Sequence, residues 1–139
     1  MPSYWDSSGL VNVLAAPAVA KRLDAGEHLT RMHAFIEAFH HISGRGLPLK
    51  DGRRMAMTPA DAAAMIRRLA VKLKQRRNLT EEETLSALDD AQSRGVKGRM
   101  VHDWVHIRAA KLAGADVVIT RDVGMSSLAA GEGLKAEWP

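Results

Sequence analysis

The segment Ala113-Gly114-Ala115-Asp116-Val117-Val118-Ile119-Thr120-Arg121-Asp122 constrains the fold more than any other stretch of the chain. Its β-branched run is stiff at χ1 and suits a strand, and it is bounded by turn residues that set its length. The residues before it, Val101 to Ala113, carry a helical pattern with Gly114 as the stop. A helix therefore feeds directly into a strand that ends at an acid, Asp122.

The same alternation extends back along the chain. Tyr4-Trp5-Asp6-Ser7-Ser8 suits a short strand running into a loop, and Ala18–Leu23 behind Pro17 suits a helix stopped by Asp24-Ala25-Gly26. His28–Arg31 is a second, weaker strand. Between His33 and Ile42 the apolar residues recur at three- and four-residue spacing, which predicts an amphipathic helix carrying Glu37 and ending at Ser43-Gly44. Residues 44–57 are rich in Gly, Lys and Arg, with Pro48 and Asp51-Gly52 as turn signals, and are expected to form an exposed basic loop or small hairpin.

Thr58-Pro59-Ala60-Asp61 is a helix start, with Thr58 as cap, and its helix is expected to reach about Lys74. Thr80-Glu81-Glu82-Glu83 is a capping box opening a helix that stops near Gly95. Strands and helices in alternation predict an α/β chain with a central, mostly parallel sheet covered by helices. At 139 residues one domain, 1–139, is expected, with residues 44–57 as a basic insertion.

Composition narrows the chemistry. There is no cysteine, so disulfides and thiolate metal sites are excluded, and any metal is held by oxygen or imidazole. No apolar run approaches the ~20 residues that span a bilayer, and the chain reads as cytoplasmic with no membrane partner. The net charge of +4 favours encounter with a polyanion, and Arg45, Arg53, Arg54, Arg67 and Arg68 are the candidate RNA-binding cations. A solvated basic face explains the same charge equally well.

In open α/β sheets, ligands gather at the carboxyl ends of the strands, so acids distant in sequence can converge there. Asp6 and Asp122 end strands, Glu37 lies on the helix after the second strand, and Asp103 lies in the first turn of the helix before the strong strand. Each alone reads as a turn, helix-end or cap residue. Together they are a candidate metal-binding and catalytic set. Clustered carboxylates need a cation, and oxygen ligands without thiolate suit Mg²⁺ or Mn²⁺, ions that also serve phosphodiester hydrolysis.

These contexts resemble the PIN-domain ribonucleases, which include the VapC-like toxins. Tyr4-Trp5-Asp6-Ser7-Ser8 is similar to the family's opening strand and acid, and Thr30 with Glu37 to its strand-then-helix acid. His102-Asp103-Trp104-Val105-His106-Ile107-Arg108-Ala109-Ala110 resembles its third acidic element, and Ala113–Asp122 its closing helix, strand and acid. Gly133–Pro139 resembles the last edge strand. The resemblance implies a three-layer α/β/α sandwich with a sheet of about five strands, and a metal set of Asp6, Glu37, Asp103 and Asp122. Ser7 or Thr120 would supply supporting hydrogen bonds to those acids. It further implies an Mg²⁺- or Mn²⁺-dependent endoribonuclease, an antitoxin partner and a homodimer. Trp104 stands where the family usually has a small residue, and the 44–57 segment is longer and more basic than usual.

Rival signals are weaker. His102-Asp103-Trp104-Val105-His106 imitates a zinc-protease motif, but Asp is shorter than the Glu base that motif needs and no third ligand follows. The pair reads as cleft-edge or surface histidines. An aspartyl-phosphate phosphatase would need an acid two residues after Asp6, where Ser8 stands, and no phosphate-binding loop motif is present. Trp5, Trp104, Trp138 and the methionines near the basic loop read as core before base-stacking or partner surface. The second functional reading is a catalytically weak RNA- or protein-binding module on the same fold.

Overall fold

The computed structural model describes the backbone of all 139 residues and every side chain except that of Arg76. Five strands form one parallel sheet: β1 (Ser3–Trp5), β2 (His28–Arg31), β5 (Lys74–Arg76), β6 (Val117–Ile119) and β7 (Lys135–Glu137), in the order β5-β2-β1-β6-β7. Two further strands, β3 (Leu47–Pro48) and β4 (Arg54–Met55), pair antiparallel as a separate hairpin. The chain steps from β1 outward to β2 on one side and returns to β6 on the other. The carboxyl ends of β1 and β6 thus flank the point where the winding reverses, where a cleft opens in such sheets.

Side chains alternate across β1 and β6, and the two faces bury different sets. Trp5, Val117 and Ile119 pack with Leu10, Val13, Phe35, Ile42 and Leu69 from α1 (Ser7–Ala15), α3 (Met32–Arg45) and α4 (Pro59–Ala70). Tyr4 and Val118 point the other way, onto Ile107 and Ala110 of α6 (Met100–Leu112) and Met125 and Ala129 of α7 (Val123–Gly131). Outside α6, α5 (Glu81–Ser93) is held through Trp104, which packs on Ala91 and Val96 and donates its indole N–H to Ala87 O at 2.7 Å. The result is a parallel sheet covered by helices, as the alternation of elements predicts, in the three-layer α/β/α arrangement that the resemblance implies. No helix among the described residues is long and apolar enough to cross a membrane.

Several elements differ from the sequence reading. Ser7 to Ala15 is helical, where a loop was expected after Asp6, because the Asp6 carboxylate caps the helix by accepting from Gly9 N. The short helix near Pro17 is α2 (Pro17–Ala20) and passes into a single 3₁₀ turn over Lys21–Asp24. The helix begun at Thr58 stops at Ala70 rather than at Lys74, and Lys74–Arg76 becomes the edge strand β5. Leu73 is buried in the turn between them, and the pairing of β5 with β2 decides the change. Helix propensity of a Lys- and Arg-rich run yields there to tertiary pairing. The sequence reading left out α7, a helix of small residues whose apolar pattern is faint.

Residues 44–57 form the tight end of α3 and the β3–β4 hairpin. Gly46 is the position that demands glycine: its φ is +90°, and a Cβ there would meet Met55 O at 2.6 Å.

Candidate functional site

The cleft is built first from its deepest acid. Asp6 follows β1, is 3% exposed, and is held by neutral donors: Oδ1 accepts from Ser8 Oγ (2.7 Å) and Gly9 N (2.8 Å), and Oδ2 accepts from Thr120 Oγ1 (2.5 Å). Burial raises its pKa and these hydrogen bonds pull it back down, with the net displacement upward. Thr120, wholly buried after β6, also accepts from Asp122 N at 3.0 Å, so one hydroxyl ties the ends of both strands together. The supporting serine is Ser8. Ser7, the residue expected in that role, opens α1 and lines the neighbouring groove, because the helical turn begun at Asp6 carries the next residue back over the carboxylate.

Asp122 lies at the exposed rim, where it caps α7 by accepting from Met125 N at 3.0 Å. Asp103 projects from the first turn of α6 toward it. A Cβ added at Gly124 would lie 3.1 Å from Asp122 Oδ1 and 3.9 Å from Asp103 Oδ2, so a missing side chain keeps the space between the two acids open. At Asp103, burial first and then the charge of Asp122, with lesser contributions from Asp6 and Glu37 and against the opposing pull of His106, raise the pKa from 3.8 to about 6. Carboxylates from four separate elements therefore share one field.

Glu37 stands differently. Its Oε1 is 2.6 Å from His106 Nε2, and His106 Nδ1 is 3.1 Å from the buried Tyr4 hydroxyl. Burial would raise the Glu37 pKa, but the bond and charge of His106, helped by His33 and Arg31, leave it lowered. His106 was expected at the surface or cleft edge; at 3% exposure it is a buried strut holding Glu37. Trp104 is turned into the α5–α6 contact.

A donor set of four carboxylates without thiolate fits a hard divalent cation, and the open space at Gly124 together with the mutual repulsion on Asp103 is the arrangement a cation relieves. The set is not fully gathered: among the described residues no group of three or more acidic or histidine side chains is placed to hold a metal ion. Asp6 and Glu37 are turned to internal partners, and Asp103 and Asp122 carry the open positions.

The basic residues divide. Arg54 lines a groove of about 620 Å³ beside the acids, together with Ser8, Asn12, Glu37 and Arg121, and Arg54 Nη1 lies 3.1 Å from His41 Nε2. Arg53 is exposed and paired with Asp51, and Arg45 is exposed at the end of α3. Arg67 and Arg68 are on α4, away from the groove's lining, Arg67 beside an apolar furrow against α3. Sequence reasoning missed Arg121, which donates its backbone N–H to Ser8 Oγ and whose guanidinium lies 5.3 Å from the Trp138 ring centre. Its place beside Asp122 in the closing segment was the available signal.

No protein-family model matches the sequence, and no curated protein matches it. Solved structures do. VapC20 of Mycobacterium tuberculosis, a toxin cleaving the sarcin-ricin loop, superposes with a TM-score of 0.63 at 16% identity, over 90% of this chain and 93% of that one. The fold is PIN-like. PAE2754 of Pyrobaculum aerophilum shares it with a TM-score of 0.68 at 15% identity, over 98% of this chain and 89% of that one. VapBC2 of Rickettsia felis, solved bound to a DNA fragment from its promoter, gives 0.68 at 9% identity, over 100% and 99%. The resemblance read from the two ends of the PIN-like chain thus holds for its fold.

Proposed function

We propose that this chain is a metal-dependent endoribonuclease, hydrolysing RNA phosphodiester bonds with Mg²⁺ or Mn²⁺, and the toxin of a toxin–antitoxin pair. The observation that supports this most is the state of Asp103: burial first, and then the charge of Asp122 with smaller contributions from Asp6 and Glu37, raise its pKa to about 6, and carboxylates held together in that way favour a cation. Asp103, Asp122 and Asp6 would hold the ion, with Glu37 joining on release from His106. Bound there, a divalent ion supplies a water of lowered pKa and charge stabilisation at phosphate.

The protein's own groups do the rest. Thr120 and Ser8 hold the Asp6 carboxylate in one orientation at the end of β1. Arg54 and Arg121 line the groove and give the RNA backbone its countercharge. His106 holds Glu37 beside the cleft until its release toward the ion. An antitoxin segment that covers the acidic cleft and a homodimer of the chain complete the reading, with the protein acting in the cytoplasm as one domain over residues 1–139.

One observation favours the alternative of a catalytically weak RNA- or protein-binding module: Asp6 and Glu37 are already satisfied by internal hydrogen bonds, with no three-ligand group assembled. Purified protein incubated with RNA in Mn²⁺ or Mg²⁺, beside EDTA and Asp6→Asn and Asp103→Asn controls, separates the two. Cleavage abolished by EDTA and by both substitutions is the expected result. Salt-sensitive RNA binding with no cleavage in any metal would leave only the binding module.

A further inference from the structure

Glu37 also lines a second cavity, of about 280 Å³, walled by Arg31, His33, Asn78, His102 and His106. Arg31 ends β2 and precedes α3, is only 5% exposed, and its Nε finds no hydrogen-bond partner. Among the described residues it forms no ion pair; Glu37, whose carboxylate feels its charge, is bonded by His106. The Arg31 guanidinium bonds the buried Tyr4 hydroxyl and shares the field of Glu37, but a buried donor left unsatisfied is costly and calls for a further acceptor. Asn78 uses its Oδ1 to accept from His33 N, so its amide N–H₂ is the group it can offer the cavity, beside the imidazoles of His33 and His102. Donors therefore dominate the walls, and the one carboxylate among them is already engaged.

We propose that this cavity is a phosphate site, centred on Arg31 with His33, Asn78 and His102, and that on the ribonuclease reading it takes a backbone phosphate of the RNA away from the one at the acids. The source is RNA because Glu37 lines both this cavity and the basic groove, and His102 adjoins Asp103, so one strand can reach both.

Inorganic phosphate titrated into the intact protein in EDTA, followed by the imidazole ring resonances, reads the site without any cleavage step. Saturable shifts at His33 and His102, absent at His40 and weakened at least tenfold in Arg31→Gln, are expected. Asn78→Ala and His102→Gln, at exposed positions, repeat the measurement should Arg31→Gln fail to fold, with the same loss expected. No saturable shift, or equal affinity in the variants, overturns the site whether or not the protein cleaves RNA. In a parallel arm, also in EDTA, a labelled single-stranded RNA decamer should bind about tenfold more weakly to the variants, with the salt slope reduced by about one phosphate contact. Undiminished RNA binding alongside lost phosphate binding would overturn the RNA assignment and point to an acidic peptide as the occupant.

Discussion

Replacing Asp103 by Asn removes one charge from a cluster of like charges without changing its shape, and the structure fixes both the sign and the rough size of the result. The rise of the Asp103 pKa from 3.8 to about 6 corresponds to about 3 kcal/mol of unfavourable free energy in the ionised form at full weight. The side chain is only partly buried, so solvent screening reduces this to about 1–2 kcal/mol. Because the folded pKa is raised, the folded state binds more protons than the unfolded one between about pH 4 and 6, and stability falls as pH climbs through that window. Above pH 6 the full penalty applies; below pH 4 it is gone.

Asp103→Asn should therefore melt about 3–6 °C above the parent at pH 7.5 in EDTA, taking ~3 °C per kcal/mol for a chain of this size. At pH 4.5 the gap should shrink strongly, since the parent carboxyl is then mostly protonated. Mn²⁺ should reverse the order. An ion binding only the folded parent adds about 2.7 kcal/mol at a hundredfold excess over Kd, while the variant gains little. Thermal melts of both proteins at the two pH values, with and without Mn²⁺, are sufficient. A variant no more stable than its parent at pH 7.5, or an advantage as large at pH 4.5, would refute the account of Asp103 as a carboxylate destabilised by burial and by the charge of Asp122.

Four other outcomes follow from single contacts. Gly124→Ala should change stability by less than about 1 kcal/mol but weaken Mn²⁺ binding by about tenfold in calorimetry, since its methyl enters the space between Asp122 and Asp103. Thr120→Val strips a partner from both Asp6 Oδ2 and Asp122 N, and urea unfolding should show a loss of about 2–4 kcal/mol. Gly46→Ala combines a positive φ with a Cβ 2.6 Å from Met55 O; a loss of about 1–3 kcal/mol in the same assay is expected, and an unchanged midpoint would dispute the hairpin's seat. Arg54→Ala should lower RNA affinity and the salt slope by about one contact, whereas Arg68→Ala on α4 should leave both unaltered.

Sequence by itself determined the elements whose signals are local: the β-branched run of β6, the caps at Thr58 and Thr80, and the amphipathic stripe of α3; for 44–57 it left a loop or a hairpin open, which the pairing of β3 with β4 decides. It also supplied the acids, because strand ends and helix first turns can be read from a few neighbouring residues. Tertiary structure alone decided what depended on partners far along the chain. Lys74–Arg76 is a strand only because the edge of β2 is there to pair with it, and α7 is a helix of small residues that gains definition from packing on α6 and from the Asp122 cap. Whether Ser7 or Ser8 supports Asp6 turns on one helical step, and the joining of His106 to Glu37 spans 69 residues. Local propensities act over a few residues, but the direction of a side chain within a cleft is set by packing between elements, and no short window of sequence contains it.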